Sequence, residues 1–183
     1  MIFQMKDLSQ RTIDNISICK SSSNVSGYKL RHAHYYLGSV LAQEMEARLD
    51  NSRLTVLCMM RSGLCFSLGI SDQLEKAGNH VDLKFLNDNK KMPEISKKDT
   101  VIIVDGVINS GNSMLEVIDY LNDYTLIVAT NVLSSKSVSL FSDINVFTTR
   151  ISKHHYKGEN TVKIKDGKGP DTSERLFNSG FYK

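Results

Sequence analysis

The chain has few prolines, few cysteines, little excess charge of either sign and no long apolar run, and each shortage removes a class of protein. Two prolines in 183 residues leave little room for a stiff linker, and 40% hydrophobic residues suit one core of useful size. A single domain over residues 1–183 is expected. Cys19, Cys58 and Cys65 are odd in number and lack C-x-x-C spacing, so neither a disulfide framework nor a structural zinc site is indicated and reduced thiols are expected. The net charge of +3 is spread along the chain, and the nearest basic run, Lys97-Lys98, lies between Ser96 and Asp99. That balance argues against nucleic acid and anionic membranes as partners. No segment has the length and apolarity of a bilayer span, and MIFQMKDLSQ lacks the pattern of a secretion signal. A cytoplasmic protein is the resulting expectation.

What is present is an alternation of periods. Leu30, Ala33, Leu37, Leu41 and Met45 recur at spacings of three and four, which predicts an amphipathic helix from Tyr28 to about Arg48. LTVLCMM then reads as a buried strand, Arg-Ser-Gly as a tight turn, and LCFSLGISDQLEKAG as a helix stopped at Gly78. Val81 to Leu86 is a weaker strand candidate, and NDNKKMPEISKKD an exposed loop or short hairpin. VIIVD predicts a further strand, GVINSGN a turn, SMLEVIDYL a helix, TLIVATNVL a strand, SSKSVSLFS a short helix and INVFTTRIS a strand. Strands apolar on both faces and alternating with helices imply an α/β fold, a doubly wound and mostly parallel sheet. After Ser152 the chain turns polar and holds four of its 11 glycines, with VKI as its strand candidate. A loop-rich C-terminal hood wrapping back over the sheet is expected there.

Chemistry is most legible in VIIVDGVINSGNS, Val101 to Ser113. In such a sheet ligands sit beyond the carboxyl ends of the strands. A turn of Asn109, Ser110, Gly111, Asn112 and Ser113 that opens a helix presents unpaired N–H groups to an anion, and the two serine hydroxyls add donors. Neither G-x-x-x-x-G-K-S/T nor G-x-G-x-x-G is present. Asp105, a few residues earlier, is placed to reach hydroxyls of a sugar that carries the phosphate. An acid, a gap and a phosphate cradle point to a ribose-5-phosphate group, although a strand-end aspartate that caps a helix has the same spacing.

DGVINSGNS resembles the phosphoribosyl diphosphate (PRPP) motif of type I phosphoribosyltransferases, in the D-P-x-x-A-T-G-G-S form of uracil phosphoribosyltransferases. MMRSGL, Met59 to Leu64, resembles that family's I-L-R-A-G-L turn. LRHAHYYLGSVLAQE is similar to its F-R-x-L-x-x-x-x-G-x-L-L-x-x-E helix, with Arg31 and Gly38 in register. GKGPDTSERLFNSG is similar to its closing G-L-G-D-x-G-D-R-x-F-G-T, matching at Asp171, Arg175 and Phe177. The four segments occur in order from Tyr28 to about Gly180.

The resemblance implies transfer of ribose-5-phosphate from PRPP to a pyrimidine nitrogen, uracil giving UMP and pyrophosphate. It assigns Arg61 and the Ser62 and Gly63 backbone to pyrophosphate, Asn109, Ser110, Gly111, Asn112 and Ser113 to the 5′-phosphate, and Asp105 to the ribose hydroxyls. Arg61 and Asp105 become the catalytic candidates. The base is expected against Val107 and Asn109, read by main-chain groups near Ile164 and Gly169. Asp171 stands near a Mg2+ ion or its waters; that ion is held mostly by substrate and water rather than by direct protein ligands. A homodimer or higher homo-oligomer is also implied.

Several positions depart from the family pattern. Asn109 replaces Ala, Ser110 replaces Thr, Asn112 replaces Gly, and Cys58 replaces the Pro before the pyrophosphate turn. Gly106 stands where uracil enzymes carry Pro and most other type I enzymes a second acid. The long arm before the PRPP motif shrinks to roughly Asn87 to Asp99; Lys84, Lys90 or Lys91 are candidates to supply its charge, against the plainer reading of solvated loop lysines. Two other readings follow from these departures: a PRPP-dependent transferase for another base, and a non-catalytic regulator that binds PRPP or a nucleotide. Elsewhere, His154-His155 reads as ordinary polar loop, Cys65 as a small core residue, and Glu174 with Arg175 as an exposed ion pair.

Overall fold

The computed structural model describes residues 1–49, 53–87, 91–153, 162–164, 167–169 and 171–179. Strands β1 (Ile2–Gln4), β2 (Arg53–Met59), β3 (His80–Leu86), β4 (Thr100–Ile108), β5 (Thr125–Ser134) and β6 (Asn145–Ser152) form one sheet in the order β1-β6-β5-β4-β2-β3. Every pairing in it is parallel. β7 (Val162–Ile164) and β8 (Gly167–Gly169) make a separate antiparallel pair. The helices are α1 (Gln10–Cys19), α2 (Gly27–Glu46), α3 (Leu64–Lys76), α4 (Asn112–Tyr120) and α5 (Thr172–Phe177).

Alternation along β4 shows why the strand reads as continuously apolar. Ile102 and Val104 pack into one core with Leu30, Leu37 and Leu41 of α2 and Phe66 and Ile70 of α3. Val101 and Ile103 pack into a second core with Met114 and Val117 of α4 and with Phe141. A parallel strand covered on both faces needs apolar side chains at both parities. Helices α2 and α3 approach closely because glycines face backbone at the crossing. A Cβ on Gly38 would lie 2.2 Å from the Phe66 carbonyl oxygen, and one on Gly69 would lie 2.0 Å from that of Tyr35. Among the described residues, no helix is long and apolar enough to cross a membrane.

The chain order fixes where a ligand can enter. From β2 the sheet grows outward to β3 on one side, whereas β4, β5 and β6 follow on the other. The switch in direction lies between β2 and β4, and loops leaving their carboxyl ends diverge there and open a crevice.

Two expectations need correction and two gain detail. The strand beginning VIIVD does not end at Asp105: Val107 and Ile108 pair with Val132 and Leu133, so the ladder runs on to Ile108 and the turn starts at Asn109. The short helix expected in SSKSVSLFS is a 3₁₀ helix over Val138–Phe141. The closing segment has VKI as strand β7, as expected, and adds a short helix: Asp171 caps α5 in a capping box, its carboxylate accepting from Glu174 N at 2.7 Å and Glu174 accepting from Asp171 N at 2.8 Å. Arg175 is not part of an exposed ion pair but is buried, donating to the carbonyls of Lys20 and Val25 at 3.1 and 2.9 Å. The sequence reading also lacked β1 and α1, which have no long apolar stripe to announce them.

The short arm is a loop over residues 91–99, but an anchored one. Ile95 is buried in the second core, and its carbonyl accepts from the Tyr124 hydroxyl at 3.1 Å. Lys84 lies on β3, paired with Asp82 at 2.9 Å, rather than on the arm. Lys90 and His154-His155 lie outside the described residues.

Candidate active site

Two turns flank the crevice between β2 and β4. The first, Met60 to Gly63, leaves β2 through a cis peptide between Met60 and Arg61 and returns into α3, with Gly63 N donating to the Met59 carbonyl at 3.1 Å. Arg61 is exposed at its tip and Ser62 half-buried. Among the described residues the Arg61 guanidinium has no side-chain partner; a guanidinium presents five N–H donors.

The second turn, Asn109 to Gly111, leaves β4 and opens α4. Gly111 takes φ +83°, a left-handed conformation that side chains resist, and lets the chain enter the helix. Asn112 is the first helical residue and needs no such conformation, so its replacement of a glycine leaves the turn's backbone path intact. Leu115 N reaches back to the Gly111 carbonyl at 2.9 Å, whereas Asn112 N has a 3.5 Å contact to Ser110 Oγ. The N–H groups of Asn112, Ser113 and Met114 therefore precede the first helical bond and point toward the helix's positive end. Ser110, Asn112 and Ser113 are exposed around them, and Ser137 donates to the Asn109 carbonyl, pinning the base of the turn.

Asp105 joins the two turns. Its carboxylate accepts from the Ser62 hydroxyl and from the N–H groups of Val107 and Gly106. Burial pushes its pKa above the ordinary aspartate value, while these three donors pull it back down. The backbones interlock as well. A Cβ on Gly106 would stand 2.4 Å from the Ser62 carbonyl oxygen, and one on Gly63 would stand 2.7 Å from that of Val104. Neither position has room for a side chain. Arg61, Ser62, Gly63, Asp105, Asn109, Ser110, Gly111, Asn112 and Ser113 thus line the ends of adjoining strands.

Of the remaining candidates one lies further along β4 and three belong to the closing segment. Val107 is half-buried on β4. Ile164 and Gly169 belong to the β7–β8 pair, opposite Gly167 and Val162. Asp171 is engaged as the α5 cap. Among the described residues no cluster of three His, Cys, Asp or Glu side chains could hold a metal ion.

The uracil phosphoribosyltransferase family matches residues 15–179. The chain belongs to that family. It is a phosphoribosyltransferase-type transferase by membership, and the turn after β2 and the turn after β4 fall inside the matched stretch. Two solved structures agree on the fold at low identity. A Neisseria gonorrhoeae protein with bound ppGpp is 15% identical with a TM-score of 0.54, over 70% of this chain and 82% of that one. A Thermus thermophilus protein is 15% identical with a TM-score of 0.52, over 68% and 86%. The HGPRT-ase of Leishmania tarentolae in complex with GMP is 14% identical with a TM-score of 0.49, over 68% and 79%. No curated protein sequence matches.

Beside β4 lies a buried polar layer that the sequence reading missed. Asn131 of β5 sits between Thr130 and Val132, the partners of Asp105 and Val107. Its Nδ2 lies 3.4 Å from His34 Nε2, and both residues are almost wholly buried. Among the described residues, His34 Nδ1, Asn131 Oδ1, Thr149 Oγ1 and Arg150 Nε lack hydrogen-bond partners. The signal was available, since the spacing that selects Leu30, Leu37 and Leu41 also selects His34.

Burial, with the Arg175 and Arg150 charges adding to it, lowers the His34 pKa from 6.5 to about 4. The unfolded chain takes up a proton at His34 as pH falls through 6.5, and the folded chain does not until about 4. This contribution to stability is therefore fully present above 6.5 and drains away between 6.5 and 4. A loss of about 2 kcal/mol by about pH 5 is expected from this residue. Urea unfolding at both ends of the window measures it, and His34→Gln should flatten the slope. An unchanged slope in that variant would assign the acid sensitivity elsewhere.

Proposed function

We propose that the protein transfers ribose-5-phosphate from PRPP to a ring nitrogen of uracil, forming UMP and pyrophosphate. The observation that carries the reading is the meeting of the Arg61 turn, Asp105 and the Asn109–Ser113 turn at the switch point of the sheet, in a chain of this family.

In this reading Arg61 and the N–H groups of its turn take the pyrophosphate, and the opening of α4 takes the 5′-phosphate. The ring nitrogen forms a bond to the anomeric carbon as the bond from that carbon to pyrophosphate oxygen breaks. The bonding pair leaves with pyrophosphate, and the nitrogen's proton passes to water. Positive charge develops on the sugar in between, as in glycoside chemistry. Asp105 holds the ribose hydroxyls and places its negative charge near that carbon, and Arg61 balances the departing group. Holding both ends of PRPP against one strand end contributes orientation.

A magnesium ion, which keeps several waters and asks for few protein ligands, would be held mainly by substrate and water here, in keeping with the absence of a cluster of three His, Cys, Asp or Glu side chains among the described residues. It would neutralise charge on the leaving group. Asp171, capped into α5 but partly exposed, stays within the proposal as a residue that meets its waters. Val107 and Asn109, with the main chain near Ile164 and Gly169, are proposed to receive the base.

Calorimetry with PRPP and magnesium tests the reading, followed by uracil in the same cell and then a panel of other bases. PRPP should bind, the Asp105→Ala, Ser110→Ala double variant should bind roughly tenfold or more weakly, and uracil should release pyrophosphate. Turnover of another base alone would reassign the acceptor. Absence of PRPP binding at millimolar concentration would end the transferase reading.

A further inference from the structure

The Ser62 side chain has a task separate from its backbone. In the turn pattern that MMRSGL resembles, alanine stands at this place, and alanine can make no hydrogen bond from its side chain. Here the Ser62 hydroxyl donates to Asp105 Oδ1. The Ser62 carbonyl also lies against Gly106 and the Gly63 Cα against the Val104 carbonyl, closely enough that neither glycine could carry a Cβ. The turn after β2 and the acid at the end of β4 are therefore joined by one side-chain bond and two backbone contacts.

We propose that Ser62 is a positioning residue: its hydroxyl fixes the orientation of the Asp105 carboxylate, so that the turn bearing Arg61 and the acid that faces the ribose act as one rigid unit. This rests on the transferase reading for its ligand but not for its geometry. A carboxylate at a strand end swings about two torsions, and a donor on one oxygen selects one orientation and leaves the second oxygen for a sugar hydroxyl. The backbone N–H groups of Gly106 and Val107 hold the same carboxylate from the strand side. Ser62 holds it from the turn after β2. Any ligand that shifts the Arg61 turn must then shift Asp105, which couples pyrophosphate binding to ribose binding.

Two measurements on the full chain test this, one without any ligand. Carboxyl carbon NMR of Asp105 across a pH titration, in the wild type, Ser62→Ala and Ser62→Thr, reads the bond directly. Loss of a donor to the charged form should raise the Asp105 pKa by about one unit in Ser62→Ala, and threonine should restore it. Calorimetry with PRPP and magnesium supplies the second readout: Ser62→Ala should bind about tenfold more weakly and Ser62→Thr close to the wild type.

An unchanged Asp105 titration in Ser62→Ala overturns the proposal. So does a shifted titration with unchanged PRPP affinity, because the hydrogen bond would then exist without positioning anything for the ligand. If the wild type binds no PRPP while the titration shifts and threonine restores it, the transferase reading falls and the rigid unit stands. Circular dichroism and thermal melting of each variant separate a local effect from loss of the fold.

Discussion

Replacing Arg175 by leucine should destabilise the protein by about 3–5 kcal/mol, measured as a drop in the free energy of urea unfolding. The guanidinium belongs to a residue that is 5% exposed, and it gathers main-chain oxygens from the segment between α1 and α2. Its Nε reaches the Val25 carbonyl at 3.1 Å, and one terminal nitrogen reaches Val25 at 2.9 Å, Lys20 at 3.1 Å and the Ser23 hydroxyl at 3.3 Å. Leucine fills part of the space and takes those donors away from buried carbonyls, at roughly 1–3 kcal/mol each before relaxation. Arg175→Lys should recover a minor part, because one ammonium cannot span acceptors arranged for a planar fork. A loss below about 1 kcal/mol for the leucine variant would mean that the carbonyls find water readily, as at an ordinary surface pair.

The second large effect is expected at Gly106. Proline there restores the residue that the D-P-x-x-A-T-G-G-S pattern carries, and in this chain it should be worse than alanine. Either substitution drives a Cβ to 2.4 Å from the Ser62 carbonyl oxygen. Overpacking of that kind costs about 1–3 kcal/mol when neighbours can yield, and this neighbour is main chain. Proline also removes the Gly106 N–H, one of the donors to Asp105. A loss of about 3 kcal/mol or more is expected for Gly106→Pro, with Gly106→Ala between it and the wild type. Thermal unfolding of the two variants gives the order. A proline variant as stable as the wild type would show that the Arg61 turn can retreat from β4, and the rigid unit would lose its backbone support.

The same contacts show what the amino-acid order made legible. Strand periods are local, so the apolar blocks of β2, β4, β5 and β6 were readable, as was the spacing of three and four in α2. The turn that opens α4 was readable as a turn because Gly, Asn and Ser residues cluster directly after an apolar block. The Ser62 bond was not, since it joins residues 43 apart whose types are individually ordinary. Gly106 looked like a departure from two patterns and is explained by a third condition, the nearness of another turn. Arg175 looked like surface because Glu174 precedes it. Only the fold shows that the glutamate is spent on the α5 cap and that the arginine faces inward. β1 and α1 were missed because short elements that dock on others need little periodicity of their own.

The placement of those two elements bears on how the protein is made. β1 sits at the edge of the sheet with β6 as its neighbour, where Ile2 pairs with Val146, and the carbonyl of Val25 waits for an arginine 150 residues later. A chain emerging from the ribosome at roughly 5–20 residues per second therefore carries β1 unpaired until β6 appears. Its exposed strand edge is a site for wrong pairing during that interval. β1, which precedes β6 in the chain, is seated only once β6 has been made.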